Sequence, residues 1–364
     1  MCKSRLQTKY KSYNYGSERT CWSVLLSIAC LALVCLSCSE GKGEQKARPI
    51  AASIGQPSEV VLVLDDAILR SDLKDSLEAM LTCNVPGLNQ GEDFFRLSRI
   101  PVSMDQKEFL KMHSRVLAKV DPTLKEPVLG VARDVRATPQ LQLQVAGPSV
   151  DALRPFVGQH AEQIRQLLLD AQLDNQTLYL KSHASQEVAR DLRDVMGYTM
   201  NAPEEIRFTK KGKDFLWGSS RTEQKQLNVV CYRVPFAGQD LSDARVLCAI
   251  RDSVMAINIP GSEPDQWMET VWEEERPLVL LRQVSVAASD SQQQAGKDQA
   301  CTRTEMRGLW QMRNGAMGGP FVTFVFVEGG NLVFAEGFVY SPQTTKRDLV
   351  RRLEAALRTL RSIR

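Results

Sequence analysis

Few side chains in this 364-residue chain have the type and spacing that chemistry needs. Cys38 is the clearest. It follows Leu36 and Ser37 at the end of an uncharged apolar run that starts at Trp22, and Lys3, Arg5, Lys9, Lys11 and Arg19 precede that run. Basic residues, an apolar stretch and a small residue before a cysteine give the order of a secretory signal, here one whose cysteine sulfur takes a diacylglyceryl group and becomes the new N-terminus. The run is shorter than the roughly 20 residues that span a bilayer, and no later stretch approaches that length. The expectation is therefore removal of residues 1–37, lipidation of Cys38 and attachment to a membrane through the N-terminal lipid. Each buried acyl CH2 contributes about 0.8 kcal/mol, so several chains make a stable anchor. Cys35 and Cys38 also spell C-x-x-C, but the first of the two leaves with the signal.

Other chemistries are sought with less result. His113, His160 and His183 are scattered and no H-E-x-x-H occurs, so no metal site is expected. His160 falls on an apolar helical face and reads as a packed residue. A serine hydrolase elbow, G-x-S-x-G, is absent. The glycine-rich Gly315–Pro320 precedes a strand and not a helix, which argues against a phosphate cradle and against any nucleotide cofactor. Asp252 beside Arg251, and Glu273-Glu274-Glu275, read as solvated surface charge. No catalytic residue and no cofactor are assigned. Trp217, Trp267, Trp272 and Trp310 are read as packing residues before glycan platforms. The stretch from Trp310 to Pro320, ahead of a hairpin, combines an aromatic, adaptable methionines and a cation. Trp310, Arg313, Met317 and Phe321 are accordingly the candidate partner-binding residues.

Charge narrows the partners. The chain holds 46 Lys and Arg against 43 Asp and Glu, but five of the bases and one acid lie in residues 1–37, leaving 41 against 42. A neutral mature chain gives no electrostatic case for nucleic acid. Beyond the signal, Cys83, Cys231, Cys248 and Cys301 allow three disulfide pairings in an oxidising compartment, or serve as small buried hydrophobes.

The elements that would position these residues follow from periodicity. Residues 38–58, rich in Gly, Lys, Glu, Ala and Pro, read as a flexible tether. Val60–Leu64 reads as a buried strand, and Leu73, Leu77, Met80 and Leu81 share one helical face behind Ser71. Phe94–Val102 and Arg115–Val120 are further strands. Gln140–Val145 alternates, placing Leu141, Leu143 and Val145 inward and the glutamines in water. A helix after Ser149 aligns Phe156, His160, Ile164, Leu167, Leu168 and Ala171, with Pro155 in its first turns. Another starts at Ser185 and stops at Gly197. Phe208–Gly218 and Asn228–Val234 read as strands, Ser242–Met255 as a helix, Leu278–Val286 as a strand and 289–300 as a solvated loop. Phe321–Val327 and Leu332–Tyr340 form a hairpin across Glu328–Asn331. The last helix opens with a Thr345-x-x-Asp348 capping box and carries Asp348–Arg352 and Glu354–Arg358 pairs.

The fold class is thus α+β, two tandem units of mainly antiparallel sheet with helices on one face, divided into 59–197 and 198–364. Shared grammar, Val85-Pro86-Gly87 in one half and Ile259-Pro260-Gly261 in the other, suggests a duplication.

With Asp214–Trp217, Arg251-Asp252, Ile259-Pro260-Gly261, Gly308–Trp310, Gly318–Phe321 and Glu336–Pro342 in place, the chain resembles an uncharacterised family of Bacteroidetes lipoproteins catalogued only as a domain of unknown function. That resemblance implies a lipoprotein and no known activity. The expected role is a binding or scaffolding module of the cell envelope, outer-membrane and periplasm-facing, with an envelope protein or glycan as partner. The alternative is a lipid-anchored periplasmic hydrolase.

Overall fold

The computed structural model describes residues 50–222, 224–272, 279–286 and 301–363. Cys38, the signal, Glu273-Glu274-Glu275 and the 289–300 loop lie outside the described residues. Among the described residues the fold is α+β, with antiparallel pairing dominant.

The smaller sheet has five strands: β1 (Glu59–Leu64), β2 (Arg96–Pro101), β3 (Ser114–Val120), β4 (Val128–Arg133) and β5 (Leu141–Gly147), in the order β2-β1-β3-β5-β4. Three of its pairings are parallel and only β4 runs antiparallel to its neighbour. Parallel neighbours need crossovers: a helix supplies the one from β1 to β2, whereas the chain from β3 to β5 passes through β4. Helix α1 (Leu73–Thr82) follows β1, and Leu73, Leu77, Met80 and Leu81 are buried as the spacing predicts. Helix α2 (Val150–Ser182) runs 33 residues from a Ser149 cap, whose Oγ accepts from the Ala152 N–H at 3.2 Å. Pro155 sits in its second turn without ending it. The buried stripe is Leu153, Val157, Ile164, Leu168 and Ala171, while Phe156 and His160 stack on each other half-buried at its edge. Gln140, expected in water, is buried because its Nε2 donates to the carbonyls of Leu110 and Met112 at 2.8 Å each.

Helix α3 (Gln186–Met196) is capped by Ser185, which accepts from the Val188 N–H at 3.2 Å, and ends at left-handed Gly197. The larger sheet then gathers eight antiparallel strands: β6 (Phe208–Gly212), β7 (Phe215–Ser219), β8 (Gln226–Pro235), β9 (Met268–Thr270), β10 (Leu280–Val286), β11 (Cys301–Met312), β12 (Gly318–Glu328) and β13 (Asn331–Tyr340). Their order is β9-β11-β12-β13-β8-β7-β6, with β10 also on β11. Phe208–Gly218 is a hairpin and not one strand, since Asp214 adopts positive φ between β6 and β7. The β12–β13 turn uses Gly329 and Gly330, both at positive φ, as a two-residue hairpin requires. A mostly parallel five-stranded sheet and an antiparallel eight-stranded one do not repeat one another, so the suggested duplication is overturned by the strand pairing.

Strands β12 and β13 are buried almost end to end, the mark of a sheet covered on both faces. Helix α4 (Ala244–Asn258) covers one face, packing Leu247, Cys248 and Met255 against Tyr232, Phe334 and Trp310. Helix α5 (Arg347–Arg358) lies on the other, in a core that also holds Val60, Leu62, Leu168 and Phe324. One hydrophobic core therefore joins the α2 face of the smaller sheet to the α5 face of the larger. The approach is close: a Cβ on Gly337 of β13 would stand 2.6 Å from the Cβ of Leu353.

Candidate functional site

Helix α5 carries charge where it is least expected. Its apolar face, Leu349, Leu353, Ala356 and Leu357, is buried as predicted, but so are Arg347, Arg351 and Glu354. Arginines and a glutamate at 347, 351, 354 and 358 form a second stripe at helical spacing, and the helix is sandwiched so that both stripes face protein.

The start of α5 is held from far away in sequence. The carboxylate of Glu92 accepts from the N–H groups of Lys346 and Arg347, at 2.7 and 2.9 Å. This replaces the expected Thr345-x-x-Asp348 box. Asp348 instead accepts from Ser58 Oγ at 2.6 Å and pairs with Arg96 and Arg347, and hydrogen bonds from Arg347 and Ser58 keep its carboxyl low against the opposing pull of burial. Arg352 pairs with Glu205 rather than Asp348, whereas the Glu354–Arg358 pair forms at 3.5 Å. Ser58, at the end of the expected tether, is itself buried, and Ala51–Ala52 pairs in parallel with Ala137–Thr138.

Glu354 is enclosed by cations. Arg307 of β11 donates to its Oε2 at 2.5 Å, and Arg358 and Arg282 stand 3.5 and 3.9 Å from its Oε1. Burial would raise the Glu354 pKa, but Arg307 and Arg358 bring it down to about 2. Glu305 takes Arg307 Nε and the Arg282 fork. Both carboxylates are thus already paired with arginines, although Glu354 Oε1 is buried and makes no hydrogen bond among the described residues.

Arg351 has no such partner. Its Nη1 donates to Ser58 Oγ at 2.7 Å and its guanidinium lies over the rings of Phe94 and Phe95, at 4.8 and 5.1 Å. Its Nη2 is buried and makes no hydrogen bond among the described residues. Burial without an ion pair pushes its pKa down to about 9, against the help of Glu354. Arg351 also lines two cavities. One, of about 220 Å3, opens between Cys83, the α2 residues Glu162 and Arg165, β10, β11 and α5. The other, of about 250 Å3, is bounded by His113, Gln172, Asn175, Asp348 and Arg352. Gln172 also has a buried Oε1 with no partner.

His113 Nδ1 lies 2.9 Å from Ser114 Oγ, with its Nε2 at the Gln56 carbonyl. Ser114, however, is 1% exposed, receives the Gln172 Nε2 bond at 3.2 Å and does not line the cavity. Ser58 is a hydroxyl residue that does line it, and its Oγ donates to Asp348. His160 bonds the Phe156 carbonyl through Nδ1 at 2.9 Å, and no described group of three His, Cys, Asp or Glu is placed to hold a metal. Cys231 and Cys248 are free thiols that burial pushes up to about 12.

The four residues expected to meet a partner are divided. Trp310 and Phe321 sit inside the sheet: Trp310 Nε1 donates to the Val339 carbonyl at 3.2 Å, and Phe321 lies under the Arg251 guanidinium. Arg313 and half-buried Met317 occupy the β11–β12 turn, where Arg313 covers Trp267 and stands 3.7 Å from Glu269. Arg251 itself, expected at the surface, is fully buried in a two-pronged pair with Glu336 at 2.8 and 2.7 Å, and Asp252 accepts from Thr270.

The comparisons divide the chain along the same lines. The model of a domain of unknown function (DUF4837) matches residues 185–359, taking in α3, the larger sheet and α5. A second (DUF8532) matches residues 53–180, the smaller sheet and nearly all of α2. Among curated proteins nothing matches the chain. The Arg351 junction draws residues from both matched segments: Ser58, Phe94 and Phe95 from one, α5 from the other. Spacing points to none of Ser58, Phe95 and Arg351; the available signal is the arginine stripe opposite the apolar one on the last helix.

Proposed function

We propose that the chain is a lipid-anchored protein of the cell envelope, an outer-membrane lipoprotein facing the periplasm, and that it acts as a binding or scaffolding module for an envelope protein or glycan. The anchor rests on the order of charges, apolar run, Ser37 and Cys38, and on the resemblance to Bacteroidetes lipoproteins. The periplasmic side rests on a tether without an acidic cluster. The observation that carries the binding role is the Arg351 junction, where two cavities meet a buried guanidinium with unused hydrogen-bonding capacity. The hydrolase alternative draws only on the His113–Ser114 contact, and the burial of Ser114 weighs against it.

Palmitate labelling tests the anchor: it is expected to be lost in Cys38→Ala, with the protein leaving the membrane fraction or accumulating unprocessed. Unchanged labelling would sink that half. Cross-linking followed by pull-down from membranes tests the binding half, and protease shaving of intact cells that removes the protein would reverse the assigned side.

A further inference from the structure

The cavity between the Cys83–Pro86 segment, α2, β10, β11 and α5 is lined by five arginines, at 165, 282, 307, 347 and 351, against three glutamates, at 162, 305 and 354. Their pairing is uneven. Glu305 and Glu354 are bound to Arg307 and Arg282, and Glu162 to Arg165 at 2.6 Å. Arg347 bonds the Asp93 carbonyl and Asp348. Arg351, 7% exposed, is left with one neutral hydroxyl, two aromatic faces and an unused Nη2. Glu354 and Asp348 are the neighbouring charges that favour its guanidinium, Arg347 and Arg307 those that oppose it, and a water accepting from that Nη2 would bring no further negative charge. A carboxylate or phosphate oxygen brings both, and charge-assisted bonds to a guanidinium are about twice as strong as neutral ones. The rest of the wall is mostly apolar, with Val85, Pro86, Phe94, Leu169, Leu281 and Val350 beside Asn84 and Gln166.

We propose that this cavity binds a small organic anion, its carboxylate or phosphate taken by Arg351 and its apolar body laid against Phe94, Val85 and Leu281. The proposal rests on the binding reading above and gives the ligand a chemical class.

Cys83 provides the readout. It lines the same cavity as a free, part-exposed thiol, whereas Cys231 and Cys248 are buried. Alkylation of the full chain by iodoacetamide, located by peptide mass mapping, would be timed with benzoate, phenyl phosphate and neutral benzamide at matched ionic strength. One anion or both should slow Cys83 alkylation at least tenfold at saturation, benzamide less than twofold, and the preferred anion identifies carboxylate or phosphate. In Arg351→Gln the protection should fall below twofold. Equal protection by benzamide, no protection by either anion, or full protection in folded Arg351→Gln would overturn the proposal. Should that variant not fold, the comparison of anions with benzamide on the unaltered chain still decides. Because cross-linked partner recovery is independent of Cys83, an unprotected thiol removes the anion without removing the binding module.

Discussion

Two buried ion pairs show how a residue's neighbours decide its meaning. Arg251 and Glu336 are both fully enclosed, with Thr270, Thr323 and Asp252 completing the network. Taking one partner from such a pair leaves an uncompensated buried charge, which costs about 3 to 5 kcal/mol. Glu336→Gln is therefore expected to lower the urea midpoint sharply, and a midpoint within error of the unaltered chain would refute the reading of this pair as structural. Glu354 gives a pH signature instead. Its carboxyl moves from an ordinary value of 4.5 down to about 2 in the fold, so its stabilisation is complete above pH 4.5 and is lost as pH falls from there towards 2. Glu354→Gln should flatten that part of the stability–pH curve. An acid limb of unchanged steepness, measured by urea unfolding from pH 6 to 2, would place the titrating group elsewhere.

At the scale of elements, the local signals were legible and the long-range ones were not. Ser149, Ser185 and Gly197 mark helix ends in the sequence and do so in the fold, because a cap depends on residues three or four positions away. The alternation of Leu141, Leu143 and Val145 was equally readable. Helix α5 shows where this stops. Its cap comes from Glu92, more than 250 positions earlier, and its arginine stripe looks solvated until the larger sheet and α2 close over it. Trp310 and Phe321 are buried for a related reason: they belong to the strands on either side of the glycine-rich turn, and strand residues on a sheet covered on both faces are core. Glu92→Ala withdraws two charge-assisted bonds from the α5 N-terminus, and caps and ionic hydrogen bonds together suggest a loss of about 2 kcal/mol. The check is amide exchange along 346–351, which should accelerate more than exchange in α3. Equal acceleration in both helices would mean that Glu92 acts on the whole fold and not on this end.

At the scale of the molecule, the two sheets have no strand pairing in common among the described residues, yet they share one hydrophobic core. Helices α2 and α5 fill the space between them. Leu168 and Leu173 of α2 belong to the same cluster as Leu353 and Leu357 of α5, and Thr177 Oγ1 donates to the Ala355 carbonyl at 3.3 Å. Each sheet is covered by a helix of its own half, and the apolar surface of those two helices is completed by each other across the 180–185 junction, where the two matched segments meet. Although the α4 face of the larger sheet has a core of its own, withdrawing either half would expose the α2 or α5 face that packs in the shared one. Unfolding should consequently be a single cooperative step. Two probes report the halves independently, since Trp217, Trp267, Trp272 and Trp310 all lie in the second half, while pulse-labelled hydrogen exchange in β1 and β3 reports the first. Their urea midpoints should coincide. If exchange in β1 and β3 opens at a urea concentration where tryptophan fluorescence is still native, the shared core does not couple the two sheets, and each stands on its own.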